Sequence, residues 1–151
     1  KSSLTVFKLL FSHLASKNVL TGFSVKHYYE CDNNKTNGNP YPTHAIGPVA
    51  QWLNINRGNR FEYLVSMSSR ARGQNYYAAK KFGADHPGAV MEYAQGDVNT
   101  SLIQTHDGIT VTLYYDTKTP RPVDWIYRIQ GTKGIYSGTL NKIYLEDFSP
   151  Q

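Results

Sequence analysis

Apolar residues in the opening stretch, Leu4, Phe7, Leu10, Phe11 and Leu14, recur at helical spacing and predict an amphipathic helix ending near Asn18. Residues 19–30 are rich in β-branched and aromatic side chains, which predicts a strand with Phe23, Val25, His27 and Tyr29 on one face. Residues 31–42 then collect Asn33, Asn34, Asn37, Gly38, Asn39, Pro40 and Pro42, all turn formers, and read as an ordered surface loop or a ligand-facing one. From Thr43 the apolar period returns to three and four. Ile46, Val49, Ala50 and Leu53 mark a helix over residues 44–55, with Thr43 placed to cap its first turn. Residues 60–69 alternate, with Phe61, Tyr63, Val65 and Met67 against Glu62, Leu64, Ser66 and Ser68, the pattern of a half-buried strand. Residues 74–83 read as a short helix ended by Gly83, and the turn Asp85-His86-Pro87-Gly88 supports that stop.

After Gly96 the pattern is strand and turn. Residues 98–105 and 109–116 flank His106-Asp107-Gly108, and Asp-Gly between two alternating runs is a strong hairpin signal. Residues 124–130, 135–139 and 143–145 are further short strands. Helices early and antiparallel strands late predict an α+β domain, an open and mainly antiparallel sheet with helices on one face. At 151 residues the chain suits one domain over 1–151, and a chain of that size buries roughly 68–70% of its unfolded surface, enough for a core without staples.

Composition narrows the function classes. With 40% hydrophobic and 18% charged residues the chain is neither disordered nor fibrous, and one cysteine, Cys31, closes no internal disulfide and builds no thiolate zinc site. The longest apolar stretch, residues 4–14, is broken by Lys8, Ser12 and His13, well short of the ~20 apolar residues that span a bilayer. A soluble chain is therefore expected, in a compartment that the sequence leaves open, a periplasmic or secreted parent being one reading. The net charge of +5 and pI near 9.3 invite a nucleic-acid reading, but Lys and Arg fall singly or in pairs such as Arg70/Arg72 and Lys80/Lys81. No run forms a polybasic arm, so no nucleic-acid partner is expected. Twelve tyrosines are more telling: a flat ring with a hydroxyl suits stacking on sugars, and equally suits a tyrosine-rich sheet surface.

The sequence contains no Gly-x-Gly-x-x-Gly, no P-loop, no Gly-x-Ser-x-Gly and no His-Glu-x-x-His. Gly131-Thr132-Lys133-Gly134 has the wrong spacing for a phosphate cradle and reads as a tight turn between strands. The five histidines are dispersed, so no metal site is expected. His44 stands out by context. It follows the Pro-rich loop, has Tyr41 three residues before it and begins a helix, where exposed N–H groups and the positive dipole end favour a neutral imidazole, a competent base. The alternative is that His44 only caps or packs at the helix start. Arg121, in the turn Thr119-Pro120-Arg121-Pro122, is either part of an irregular connection or a cation at the mouth of a site.

Several longer segments carry a resemblance. Asn39-Pro40-Tyr41-Pro42-Thr43-His44-Ala45-Ile46-Gly47-Pro48, Tyr63-Leu64-Val65-Ser66-Met67-Ser68-Ser69, Lys81-Phe82-Gly83-Ala84-Asp85-His86-Pro87, Gly96-Asp97-Val98-Asn99-Thr100 and Asp116-Thr117-Lys118-Thr119-Pro120-Arg121-Pro122 resemble the family 109 glycoside hydrolases. That family lies within the glucose-fructose oxidoreductase and inositol dehydrogenase (Gfo/Idh/MocA) superfamily, and the likeness is to its C-terminal domain. It runs from about Lys26 to Glu146, while residues 1–25 match poorly. The resemblance implies a parent with an N-terminal Rossmann domain holding NAD, cleaving α-N-acetylgalactosaminides by oxidation at the sugar C3, elimination, water addition and re-reduction. It implies that Tyr41 and His44 contact the sugar and that His44 handles the proton of the oxidised hydroxyl; Arg121, read from its turn as a cation at the mouth of a site, is a further substrate-binding candidate.

Without a glycine-rich fingerprint, this chain is expected to lack the Rossmann domain, to bind no NAD itself and to be inactive alone. Val123 stands where the family often carries a sugar-contacting tyrosine, which points to an altered pocket. Two alternatives accompany the leading reading: a non-catalytic carbohydrate-binding or self-association module, and a domain of a sugar or inositol dehydrogenase. An open sheet leaves edges and apolar surface, from which a homo-oligomer through the sheet is expected.

Overall fold

In a computed structural model, which describes residues 20–25, 36–120 and 126–150, the alternating runs become strands of one sheet. They are β1 (Leu20–Val25), β2 (Phe61–Ser68), β3 (Val98–Thr105), β4 (Thr110–Asp116), β5 (Ile126–Gly131), β6 (Gly134–Ser137) and β7 (Lys142–Leu145). The helices are α1 (Thr43–Trp52), α2 (Gly73–Phe82) and the short α3 (Pro87–Val90). The predicted helix over the first eighteen residues, the loop positions 31–35, and Arg121, Val123 and Asp124 lie outside the described residues.

The sheet runs β2-β3-β4-β1-β5-β6-β7, and every adjacent pair is antiparallel except β1 with β4, which run parallel with Leu20 opposite Thr110. The expected α+β architecture, an open and mainly antiparallel sheet with helices, is what forms. The β3–β4 hairpin turns at Gly108, whose φ of +79° is the left-handed conformation that the Asp-Gly signal anticipates.

Strict alternation on β3 and β4 decides where the core sits. Ile103, Val111 and Leu113 are buried on one face, Ile103 directly opposite Val111, while Leu102 and Tyr114 on the other face are exposed. Ala45, Val49 and Leu53, four residues apart along one side of α1 and its C-cap, pack onto that buried face and complete the core. Asn59, buried, locks the far end: its Nδ2 donates to the Leu53 carbonyl, and its Oδ1 accepts from the backbone N–H groups of Arg60 and Asp107. Helix end and hairpin tip are thereby held together.

Three expectations need correction. Strand β2 is not half-buried: Phe61 to Met67 are all exposed, because α1 lies against β1 and packs its side chains onto β3 and β4, leaving the edge strand uncovered on both faces. Helix α1 begins at Thr43, so Thr43 is its first residue rather than its cap. The cap is Pro42, whose carbonyl accepts from Ala45 and Ile46, and the helix ends at Trp52 rather than near residue 55. Left-handed backbone at Asn54 and Asn56 explains the early end. The segment expected to be only a turn forms α3, with His86 as N-cap, its Nδ1 accepting from the Gly88 N–H. Gly83 ends α2 as anticipated, at φ +100°.

Candidate functional site

The loop ahead of α1 is built by asparagine side chains that take over backbone hydrogen bonding. Asn37 Oδ1 accepts from Gly38 N at 2.8 Å and from Gly96 N at 3.3 Å, and Asn39 Oδ1 accepts from Tyr41 N at 3.1 Å. Gly38 has φ +103°, open to glycine at no steric cost. The loop is also held from across the fold: the buried Gln95 donates from Nε2 to the Gly38 carbonyl at 3.3 Å, and its own carbonyl accepts from Lys118 Nζ at 2.9 Å. Gly96 fits here because a Cβ would fall on the Ser69 carbonyl oxygen.

This scaffold delivers Tyr41 and His44 to the entrance of α1. The Tyr41 hydroxyl and His44 Nε2 lie 3.1 Å apart, and the two rings meet edge to face with centroids 5.0 Å apart. His44 is exposed and sits in the first helical turn, where backbone N–H groups lack intrahelical partners. A hydroxyl in contact with an imidazole nitrogen is an arrangement that can pass a proton to or from a bound alcohol.

Sequence reasoning missed two residues of this site. Pro48 lies inside α1 and has no N–H to offer the carbonyl four residues earlier, which is that of His44. The Tyr127 hydroxyl, from β5, reaches the same carbonyl oxygen at 3.5 Å, and the Tyr127 ring meets Trp52 edge to face at 6.0 Å. Burial pushes the Tyr127 phenol above its usual value. Proline four residues after a candidate base is a signal the sequence carried; the tyrosine that answers it, on a strand 83 residues away, left none.

Of the predicted site residues, Tyr41 and His44 are brought together, and Arg121 lies outside the described residues. Among the described residues no group of three or more His, Cys, Asp or Glu side chains converges on a metal site. Among the described residues no strand enters a helix through a glycine-rich turn; β2 reaches α2 through Ser69-Arg70-Ala71-Arg72. No helix described is long and apolar enough to cross a membrane. Asn99, which opens the Asn-x-Ser sequence Asn99-Thr100-Ser101, has a buried side chain that donates to Ser66 Oγ, Ser68 Oγ and the Met67 carbonyl.

The sheet order and the helix laid across it give a class of fold, the one found in domains of the Gfo/Idh/MocA oxidoreductases. Two solved structures share the fold. Myo-inositol dehydrogenase from Lactobacillus casei, in complex with NAD(H) and myo-inositol, superposes with a TM-score of 0.57 at 9% identity, over 99% of this chain and 38% of that one. The WlbA dehydrogenase from Bordetella pertussis, in complex with NADH and UDP-GlcNAcA, does so with 0.56 at 12%, over 99% and 45%. Within that class the family is definite: Glycosyl hydrolase 109, C-terminal domain, matches residues 16–151, and the chain belongs to it. A Glycosyl hydrolase family 109 protein from Shewanella pealeana is 53% identical over 112 residues, 74% of this chain and 25% of that protein. One from Shewanella baltica is 52% identical over 113 residues, 75% and 25%. The chain thus spans about a quarter of the length of the curated relatives it matches. The family match begins at residue 16, earlier than the resemblance read from the sequence.

Proposed function

We propose that this chain is the substrate-side domain of an NAD-dependent glycosidase acting on an α-N-acetylgalactosaminide, and that it is inactive without a Rossmann domain to carry the cofactor. The observation that supports this reading is the Tyr41–His44 contact at the entrance of α1, on segments that carry the family resemblance. NAD, held by that other domain, would supply the hydride acceptor and donor; the residues here supply contact and proton handling. Tyr41 orients the imidazole and offers a hydroxyl to the sugar. His44 Nε2 takes the proton of the ring hydroxyl as that carbon is oxidised and returns it on re-reduction. The Asn37–Asn39 turn, clasped by Gln95 and Gly96, fixes where both side chains sit. Arg121, in Thr119-Pro120-Arg121-Pro122, is the third substrate-binding candidate.

Titration of the isolated chain with N-acetylgalactosamine, without NAD, tests the sugar site. Millimolar or tighter binding that disappears in Tyr41→Phe and His44→Ala is the expected result. Binding unchanged in both variants, or absent in the parent chain, overturns it.

A second reading, self-association through the sheet, is favoured by one observation. Tyr63, Val65, Met67, Leu102 and Tyr114 stand on the face away from α1, between 45% and 72% exposed, in a contiguous band across β2, β3 and β4. A second copy of the chain, presenting the same band, is the partner this reading assigns.

A further inference from the structure

The paired lysines of α2 take no part in the Tyr41–His44 site, yet they do not point into bulk solvent alone. They edge a pocket of about 810 Å³ between α2 and the segment after β4. Helical spacing builds one wall from two adjacent columns, Gln74, Tyr77 and Lys81 beside Tyr76 and Lys80. Lys118 forms the opposite side. The segments approach so closely that a Cβ on Gly73 would fall on the Lys118 carbonyl oxygen.

Three features of this pocket point to a ligand. The first is charge: three ammonium groups border it, and no carboxylate is among its lining residues. The nearby Asp97 and Asp116 are engaged with the protein, Asp97 accepting from Arg72 N and Gly73 N, and Asp116 from Lys118 N and the Thr119 backbone and hydroxyl. The second is ring surface. Tyr76 and Tyr77 are 67% and 56% exposed, and Lys81 steadies Tyr77 by donating to its hydroxyl at 2.9 Å. The third is an orphan: Gln74 Oε1 is buried in the wall with no hydrogen-bond partner, an arrangement that costs roughly 1–3 kcal/mol unless something donates to it. Lys118, whose Nζ donates to the Gln95 backbone carbonyl, is lowered below the usual lysine value by burial, with the Asp97 carboxylate acting the other way.

We infer that the α2 pocket is a second carbohydrate subsite, taking an anionic saccharide whose carboxylate or sulfate lies between Lys80, Lys81 and Lys118. The sugar ring stacks on Tyr76 or Tyr77, and a ring hydroxyl donates to Gln74 Oε1. The choice of a saccharide rests on the carbohydrate reading of the chain; the anionic preference rests on this pocket alone. In a longer protein such a subsite would bind an acidic residue of the same glycan, away from the bond that is cut.

The test is titration of the chain, followed by amide and lysine chemical shifts, with methyl glucuronide, galactose 6-sulfate, inorganic phosphate and neutral N-acetylgalactosamine. Expected is binding of one or both acidic sugars that weakens at least tenfold in Lys80→Ala/Lys81→Ala and in Tyr77→Ala. It should survive in Tyr41→Phe and His44→Ala, which separates it from the first site. Phosphate binding as tightly, with Tyr77→Ala without effect, would show a bare anion site and overturn the saccharide. Acidic sugars binding no better than N-acetylgalactosamine, or unaffected by the lysine variants, would overturn the pocket. Circular dichroism of each variant, matching the parent chain, excludes loss of fold as the cause.

Discussion

The hydroxyl of Tyr127 lies 3.5 Å from the carbonyl oxygen of His44, the carbonyl in the first turn of α1 to which Pro48 offers no N–H. A strand residue thus completes the hydrogen bonding of a helix at its candidate catalytic histidine. The contact also ties β5, on the far side of β1, to the loop that presents Tyr41.

This relationship predicts coupling. In Pro48→Ala the new N–H bonds the His44 carbonyl, and relief of the interior proline stabilises the chain by about 1–3 kcal/mol. Tyr127→Phe then costs up to about 1 kcal/mol in the parent chain and close to nothing in the Pro48→Ala background. Urea unfolding of the four proteins measures the cycle; equal costs in both backgrounds would show that the hydroxyl does not serve this carbonyl.

Alkaline pH reads the same tyrosine. Its folded pKa is raised above 10.0 by burial, so the folded state holds the proton more tightly than the unfolded one. The stability it contributes is complete below about pH 10 and is lost as pH rises through the raised folded value. The stability of the parent chain relative to Tyr127→Phe is therefore constant below about pH 10 and falls as the pH is raised beyond it, measured by unfolding both proteins at each pH. A constant difference would contradict the assignment.

The one-sided core sets opposite costs on neighbouring positions of the hairpin. Leu113→Ala, at the buried face against α1, costs about 2–5 kcal/mol, whereas Leu102→Ala, on the open face, costs less than about 1 kcal/mol in the monomer. Thermal denaturation at low concentration distinguishes them.

Leu102 reports on self-association as well. Placed in the centre of the exposed band, Leu102→Lys should leave the fold intact and reduce any dimeric mass to that of the 17.1 kDa monomer in light scattering. A parent chain already monomeric at high concentration would remove the basis for pairing through this face.

Close approach makes Gly96 intolerant of any side chain. Gly96→Ala drives a methyl group into the Ser69 carbonyl and must shift the Gln95–Asp97 segment, so it costs more than about 2 kcal/mol and displaces the Asn37 turn that Gly96 N holds. Loss of N-acetylgalactosamine binding in a partly destabilised but folded Gly96→Ala chain would follow from that displacement.

What the sequence by itself determined was local. The alternation of residues 98–116 around Asp-Gly specified the hairpin, because strand period and turn chemistry are short-range, whereas the face it buries, which carries Asn99, Ser101 and Thr105 beside Ile103, was left to the fold. The period from Ile46 to Leu53 specified α1 for the same reason, and Tyr41 and His44, three residues apart, were legible as a pair before any fold was known. Tertiary structure decided the rest. β1 slots between β4 and β5, pairing parallel with β4, and α1 settles against β1 with its side chains on β3 and β4 while β2 stays bare, so an alternating strand that looked half-buried is exposed. Pro48 was visible in the sequence, but that Tyr127 answers it, and that Gln95 and Lys118 brace the loop, depended on contacts spanning 83, 57 and 23 residues. Such contacts follow from which surfaces bury the most apolar area together, a property of the whole sheet rather than of any window of chain.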